Sequence, residues 1–163
     1  MRTSARGYTL AELAVTVAIL GILASVGPTL LTKTQDFFLL STARTEIERD
    51  ARASLEVMNR LLRQAVASSV TIDTPANQGP NSRVQFTHMD GRNISFYQSG
   101  TNLMQKVGSN TTTISKNLAY IAFSYPRTDD TSIISVSITM SKNIQLGRRK
   151  VLELTVQKVR IMN

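Results

Sequence analysis

The chain has 163 residues and carries 19 Lys and Arg against 11 Asp and Glu, a formal net charge of +8. This length suits one ordinary domain and excludes a multidomain enzyme. The sequence has no Cys and a single histidine, His88, which excludes disulfides, thiolate metal sites, a Cys–His dyad and a zinc site built on several histidines. We therefore predict no catalytic residue, no metal and no cofactor.

The main apolar run extends from Leu13 to Leu31, nineteen residues without a charge. As a helix rising ~1.5 Å per residue it spans about 28 Å, close to the thickness of the hydrocarbon core of a bilayer. Arg2 and Arg6 precede the run, and basic residues favour the cytoplasmic side of a membrane. A secretory signal peptide has a shorter apolar region, about 7–15 residues, and a small-residue cleavage site. We therefore expect the span to be kept and the rest of the chain to lie outside the cytoplasm.

A carboxylate stands at the start of this run. Glu12 directly precedes Leu13, and an ionised side chain facing the bilayer costs roughly 2.5–3.5 kcal/mol even on the lenient insertion scale. Such a group needs a partner. The string Gly7-Tyr8-Thr9-Leu10-Ala11-Glu12 follows a short basic leader and directly precedes the apolar run. These three parts in this order resemble the class III signal of type IV prepilins and of the pseudopilins of type II secretion.

The resemblance implies a role for three of these residues. Gly7 would end a leader of residues 1–7 that a prepilin peptidase removes, and Tyr8 would become the N-methylated first residue of the mature chain. In a filament, the Glu12 carboxylate can lie against the Tyr8 ammonium of a neighbouring subunit, so that the two charges neutralise one another on assembly. The alternative is a plain single-span anchor in which Gly7 and Glu12 occur by chance.

Two helical segments follow the leader. Residues 8–32 form the predicted transmembrane and filament-core helix, in which Gly27 and Pro28 predict a kink because proline removes a backbone donor. Residues 33–69 are predicted as an amphipathic helix, so that one helix runs from about Tyr8 to Ser69. Apolar side chains recur every three or four residues along this second segment and form one stripe, comprising Leu40, Ala43, Ile47, Ala51, Leu55, Met58, Leu62 and Ala65.

Residues 70–163 are predicted to form a β-rich head. Pro75, Gly79 and Pro80 indicate a surface loop over residues 70–82. Strand-like runs follow, at Arg83–His88, Asn93–Gln98, Leu103–Val107, Thr111–Ser115 and Leu118–Tyr125, then from Ile133 to Met140 and from Val151 to Ile161. We therefore predict an α+β fold, in which the long N-terminal helix packs on the apolar face of an antiparallel β-sheet.

The head resembles that of minor pilins and of the J-type minor pseudopilin. The shared features are a hairpin around Asp90-Gly91-Arg92, the strand Leu118–Tyr125 and the C-terminal run Val159–Asn163. Major pilins usually differ in the head by a Cys pair, and the major pseudopilin differs by a calcium loop. The resemblance therefore implies a minor pilin or minor pseudopilin that primes or caps assembly of a type IV pilus or a type II secretion pseudopilus.

The same resemblance implies a location and a set of partners. We expect the bacterial inner membrane, with a single span and the head in the periplasm or outside, and incorporation into a pilus or pseudopilus. The expected partners are the prepilin peptidase, other minor and major pilin-like subunits, and the inner-membrane assembly platform.

The charge of the head leaves a second function open. From Val70 onward there are eleven basic and five acidic residues, and Arg148, Arg149 and Lys150 form a candidate contact for a polyanion. A pilus-tip DNA-binding subunit is therefore the alternative, although no aromatic residue follows Tyr125 to stack on bases. A membrane-anchored hydrolase is a third class, but no nucleophile motif accompanies His88.

Overall fold

The computed structural model describes residues 7–144 and 148–162, and for residues 148–156 it describes the backbone. Residues 1–6, which make up most of the predicted leader, lie outside the described part. The chain divides into two compact units, Met1–Ser41 and Thr42–Asn163. One helix, α1 (Leu10–Arg63, 54 residues), contributes to both, and the described strands belong to the second. The predicted α+β class is confirmed.

Within the first unit, α1 presents apolar side chains to its surroundings. Leu13 and Leu31 are 60% and 66% exposed, and the helix is long and apolar enough to cross a membrane. The hydroxyls of Thr16, Ser25 and Thr32 each donate to the carbonyl oxygen three residues earlier, at 2.8–3.0 Å. Polar groups in hydrocarbon must find partners within the protein, so this local bonding suits a helix in lipid.

Pro28 lies inside α1, which continues without interruption from Leu10 to Arg63. Proline has no backbone N–H, so the carbonyl of Ala24 loses the donor that it would otherwise meet four residues later. A helix can bend at such a point while the residues on both sides stay helical. The kink at Gly27 and Pro28 therefore stays a prediction.

In the second unit, α1 has one buried face, as the apolar periodicity predicts. Ile47, Met58 and Leu62 have no exposed surface. Four more residues of the predicted apolar stripe are also buried, namely Ala43, Ala51, Leu55 and, just beyond the helix, Ala65. Leu40 is half-buried. From Ile47 onward, the stripe belongs to a single core together with apolar residues of both sheets, among them Phe96 and Phe123.

The helix ends at Arg63, six residues before the predicted end at Ser69. The backbone of residues 64–66 bonds instead to that of residues 87–89, with N–H···O distances of 2.9 and 3.0 Å. A short 3-10 turn, Ala67–Ser69, then leads into the first strand. The helical spacing of apolar side chains continues to Ala65. The helix itself does not continue, because the N–H of Val66 and the carbonyl of Gln64 bond to residues 87 and 89.

The head contains a five-stranded and a three-stranded antiparallel sheet. The first has its strands in chain order: β1 (Thr71–Asp73), β2 (Arg83–Thr87), β3 (Asn93–Ser99), β4 (Asn102–Val107) and β5 (Asn110–Ser115). The second comprises β6 (Leu118–Ser124), β7 (Ile133–Ile144) and β8 (Arg148–Arg160). The predicted hairpin between β2 and β3 is confirmed, and Gly91 has a φ of 85° there, which glycine tolerates.

Two details of the predicted head are wrong. The sequence predicts a loop over residues 70–82, but β1 lies inside it, with Ile72 opposite Val84 of β2. The sequence also predicts one sheet covering the helix, whereas the strands form two. The turn between β5 and β6 is held by α1, because Asn117 Nδ2 donates to Asp50 Oδ2 at 2.7 Å. After this turn, β6 begins the second sheet, which shares the core with the first.

Removing a side chain from the buried stripe should destabilise the head. Met58→Ala should lower the free energy of unfolding by about 2–5 kcal/mol, because it removes buried apolar contacts and leaves a cavity. Arg52→Ala, on the exposed face of the same helix, should change it by less than about 0.5 kcal/mol. Denaturant unfolding of the mature chain in detergent, followed by the far-UV circular dichroism of the head, measures both. Equal effects of the two variants would contradict the assigned core.

Candidate processing and assembly site

The peptide bond between Gly7 and Tyr8 lies before the first turn of α1. Gly7, Tyr8 and Thr9 are outside helical structure and exposed, and Tyr8 is 89% exposed. A Cβ added to Gly7 would meet no atom within 4 Å. Packing within the described part of the chain therefore does not require glycine at this position, and no described atom covers this side of Gly7.

Thr9 and Glu12 form a reciprocal cap at the start of the helix. The carbonyl of Thr9 accepts the first helical bond, from Leu13 N at 3.1 Å, which makes Thr9 the N-cap residue. Its hydroxyl accepts from Glu12 N at 3.3 Å. In return, Glu12 Oε2 accepts from Thr9 N at 2.9 Å and from the Thr9 hydroxyl at 3.0 Å. This arrangement is a capping box.

The cap gives Glu12 a partner within its own chain, which the sequence analysis did not identify. The signal was present, because Thr followed three residues later by Glu, just before an apolar run, is the pattern of a capping box. A carboxylate is also favoured near the positive end of the helix dipole. The lone subunit therefore offsets part of the cost of a carboxylate at the membrane edge.

The cap leaves Glu12 able to accept further hydrogen bonds. An ionised carboxylate has two oxygens and about four acceptor positions. The cap uses one oxygen, Oε2, for two of them. The geometry is therefore compatible with a second, charged donor at the same carboxylate, and the pairing of Glu12 with the Tyr8 ammonium of a neighbour stays a prediction.

The candidate polyanion contact lies at one end of the three-stranded sheet. The backbone of Arg148, Arg149 and Lys150 forms the start of β8, opposite the end of β7. Their side chains lie outside the described part of the structure. So does Asn163, the last residue of the C-terminal run that resembles minor pilins.

His88 is held by hydrogen bonds at both ring nitrogens. Its Nε2 lies 2.7 Å from Gln64 Oε1, its Nδ1 accepts from Asp90 N at 3.4 Å and lies 3.0 Å from the Asp90 carboxylate, and the residue is 9% exposed. Arg92 bonds to the same Asp90 carboxylate and holds the pKa of that carboxyl well below its ordinary range. These contacts join Gln64, the first residue after α1, to the β2–β3 hairpin, so the His88 ring has its hydrogen-bond partners within the fold.

The comparison with known families identifies a motif in the same N-terminal segment. The family model for the prokaryotic N-terminal methylation motif matches residues 2–27. A comparison with curated proteins finds no match. The matched segment covers 26 of the 163 residues, and it supports a relation to the type IV pilin and pseudopilin family. It also implies processing by a prepilin peptidase and assembly with other pilin subunits.

Loss of the cap should loosen the first turn of α1. Thr9→Val removes the hydroxyl that accepts from Glu12 N, and loss of a capping hydroxyl costs about 0.5–2 kcal/mol. The amides of Glu12 and Leu13 should therefore exchange with solvent faster in the mature chain in detergent micelles, by about 2-fold to 30-fold. Thr9→Ser keeps the hydroxyl and should exchange like the wild type. Equal exchange in the Val and Ser variants would show that the cap does not stabilise the helix start.

Proposed function

We propose that this chain is a minor pilin or minor pseudopilin. It is anchored in the bacterial inner membrane by α1, with its head in the periplasm or outside. It primes or caps assembly of a type IV pilus or a type II secretion pseudopilus. The observation that carries this proposal is the capped Thr9–Glu12 pair, which directly follows an exposed Gly7–Tyr8 bond and begins a helix whose apolar side chains are uncovered.

Cleavage creates the amine that pairs with the Glu12 carboxylate during assembly. Before assembly, Glu12 is bound to Thr9 of its own chain. Cleavage after Gly7 creates an ammonium at Tyr8, a second charged group at the edge of the apolar helix. Two such groups, each costly in lipid, neutralise one another when the Tyr8 ammonium of one subunit meets the Glu12 carboxylate of the next. A subunit that enters out of register leaves both unpaired, so the pair also selects the axial stagger.

Two features support a minor rather than a major subunit. The head resembles minor pilins at the Asp90-Gly91-Arg92 hairpin and at Leu118–Tyr125, which include the β2–β3 turn and β6. The sequence also lacks the Cys pair of major pilins. Its partners in assembly are then the other pilin-like subunits and the inner-membrane assembly platform.

A pilus-tip DNA-binding subunit is the second candidate. The excess of eleven basic over five acidic residues from Val70 onward supports it, because clustered cations neutralise phosphates. The lack of aromatic residues after Tyr125 weakens it, since single strands bind by stacking as well as by charge. The structural subunit therefore remains the first choice.

Processing tests the N-terminal part of this proposal. Coexpression with a prepilin peptidase should shorten the chain by its first seven residues and leave Tyr8 at the new N-terminus, which intact-mass measurement detects. Gly7→Phe should block cleavage, because the peptidase must approach the backbone closely at this position, whereas the chain itself leaves this side open. An intact N-terminus in the mature wild type, or cleavage near Ser25, would refute the processing step.

Glu12 variants separate the capping role from the charge role. Glu12→Gln keeps an amide oxygen that can accept from Thr9, whereas Glu12→Leu loses the charge and the side-chain half of the capping box. The bond from the backbone amide of residue 12 to the Thr9 hydroxyl is open to both variants. Both variants should insert and be cleaved after Gly7, because neither step needs a neighbouring subunit. Both should lose assembly, because removing one partner of a buried ion pair costs about 3–5 kcal/mol.

The readouts are crosslinking to other pilin-like subunits in membranes and the number of filaments per cell, with the cleaved chain quantified as a control. Crosslinking and filament number should fall to near background in Glu12→Gln and in Glu12→Leu, whereas the amount of cleaved chain should not change. Normal crosslinking and normal assembly of Glu12→Gln would show that capping, and not charge pairing, is the role of Glu12.

A further inference from the structure

The five-stranded sheet of the head has an open edge at β5. This strand pairs with β4 on one side and, among the described residues, with no strand on the other. Residues 110–113 of β5 are all exposed. Successive side chains of a strand point to opposite faces, so both faces of this part of β5 meet solvent. The strand contacts the core only at its end, through Ile114 and Ser115.

The other described sheet edges carry features that hinder pairing with a further strand. β1 has three residues and is soon followed by Pro75. β6 is partly covered, because Phe123 N donates to Asn81 O at 2.8 Å and Gln98 Nε2 donates to Ala119 O at 3.2 Å. β8 carries five basic residues. β5 is six residues long and has no charge and no proline.

Strand register indicates which backbone groups of β5 are available. The two residues between Val107 and Asn110 form the turn of the β4–β5 hairpin. Such a turn is closed by a hydrogen bond between its first and fourth residues, so Val107 and Asn110 are a hydrogen-bonded pair. Hydrogen-bonded and non-hydrogen-bonded pairs alternate along an antiparallel ladder. Thr111 and Thr113 therefore direct their backbone N–H and C=O groups away from β4, along the open edge.

We propose that β5 is a docking edge for a second copy of this chain, with the two β5 strands antiparallel. Thr112 of one copy lies opposite Thr112 of the other, and Thr111 of each copy lies opposite Thr113 of the other. The backbone groups of Thr111 and Thr113 then form about four hydrogen bonds between the copies. The two five-stranded sheets join into one sheet across a two-fold axis.

The composition of β5 favours a second copy as the occupant. Because both faces of residues 110–113 meet solvent, a strand docked there must be polar on both faces, or its apolar side chains would remain in water. A charged strand would find no opposite charge in β5. β5 itself meets both conditions. Its three consecutive threonines read the same in both directions, so antiparallel pairing places Thr opposite Thr, a favourable cross-strand pair.

The contact is too small to hold two soluble chains together. Stable soluble complexes bury about 1,200–2,000 Å², more than one short pair of strands supplies. Two copies anchored in one bilayer by α1 meet at a far higher effective concentration, which allows a weak contact to form. The inference therefore rests on α1 as the anchor in the proposed function, and it does not rest on filament assembly.

The test uses the full mature chain in phosphatidylcholine vesicles, and flotation with the vesicles checks the anchor separately. The sequence has no Cys, so Thr112→Cys introduces a single thiol. In the proposed pair the Cα atoms at this position are about 4.5 Å apart, which permits a disulfide. Mild oxidation should give about fivefold or more linked dimer than in Thr131→Cys, the same change at an exposed threonine between β6 and β7.

A charge exchange tests whether the occupant is a second copy in this register. Chains labelled with a donor or an acceptor dye at the thiol of Thr131→Cys should show energy transfer in the vesicles. Adding Thr112→Lys to every chain, or Thr112→Glu to every chain, should lower the transfer several-fold, because like charges then lie directly opposite one another. Mixing Thr112→Lys chains with Thr112→Glu chains should restore it. Thermal unfolding of each variant confirms that its head is folded.

Three results in chains that float with the vesicles would overturn the β5 contact alone. These are equal crosslinking of Thr112→Cys and Thr131→Cys, energy transfer unchanged by Thr112→Lys, and no recovery of transfer in the mixture. A chain that does not float with the vesicles would contradict the anchor of the proposed function, and the dimer with it.

Discussion

A carboxylate at the first turn of a membrane-length helix must have a hydrogen-bond or charge partner wherever that turn meets lipid. In the single chain the partner of Glu12 is Thr9, whose backbone amide and hydroxyl both donate to it. Because these bonds are local, the subunit can remain in the bilayer with no other protein bound. The proposed assembly step adds the Tyr8 ammonium of a neighbour to the same carboxylate, and the helix does not need to unwind for this.

The side chains of α1 match two different surroundings. Up to Ser41, apolar residues are exposed on all sides, and hydroxyls such as that of Thr16 bond back to their own helix, which suits lipid or the interior of a filament. From Ala43 onward, one face is buried and the other is polar, which suits a helix that packs on a sheet. One continuous helix thus has a membrane-length apolar segment in its first part and contributes to the core of the head in its second.

The predictable parts of the fold are those that depend on local periodicity. The stripe from Ala43 to Ala65 and seven of the eight strands follow from repeats of three to four or of two residues. The end of α1 at Arg63 and the division into two sheets depend on contacts between distant residues, such as Asn117 with Asp50, which no local pattern reveals. β1 is too short for alternation to identify. The capping box of Thr9 and Glu12 is predictable from sequence spacing alone, because its two residues lie three positions apart.

A zero-length crosslink can detect the proposed contact between the Tyr8 amine of one subunit and the Glu12 carboxylate of another. A membrane-permeable carbodiimide, applied to membranes that contain the assembled subunits, joins a carboxylate to an amine only where the two are in contact. We expect a product of two chains, in which mass spectrometry finds the amine of Tyr8 bonded to the Glu12 side chain of a different subunit, or the reverse pairing with a pilin-like partner. If the reagent forms bonds only within single chains, and none joins Glu12 to another subunit, the two groups are not in contact and the proposed pairing is wrong.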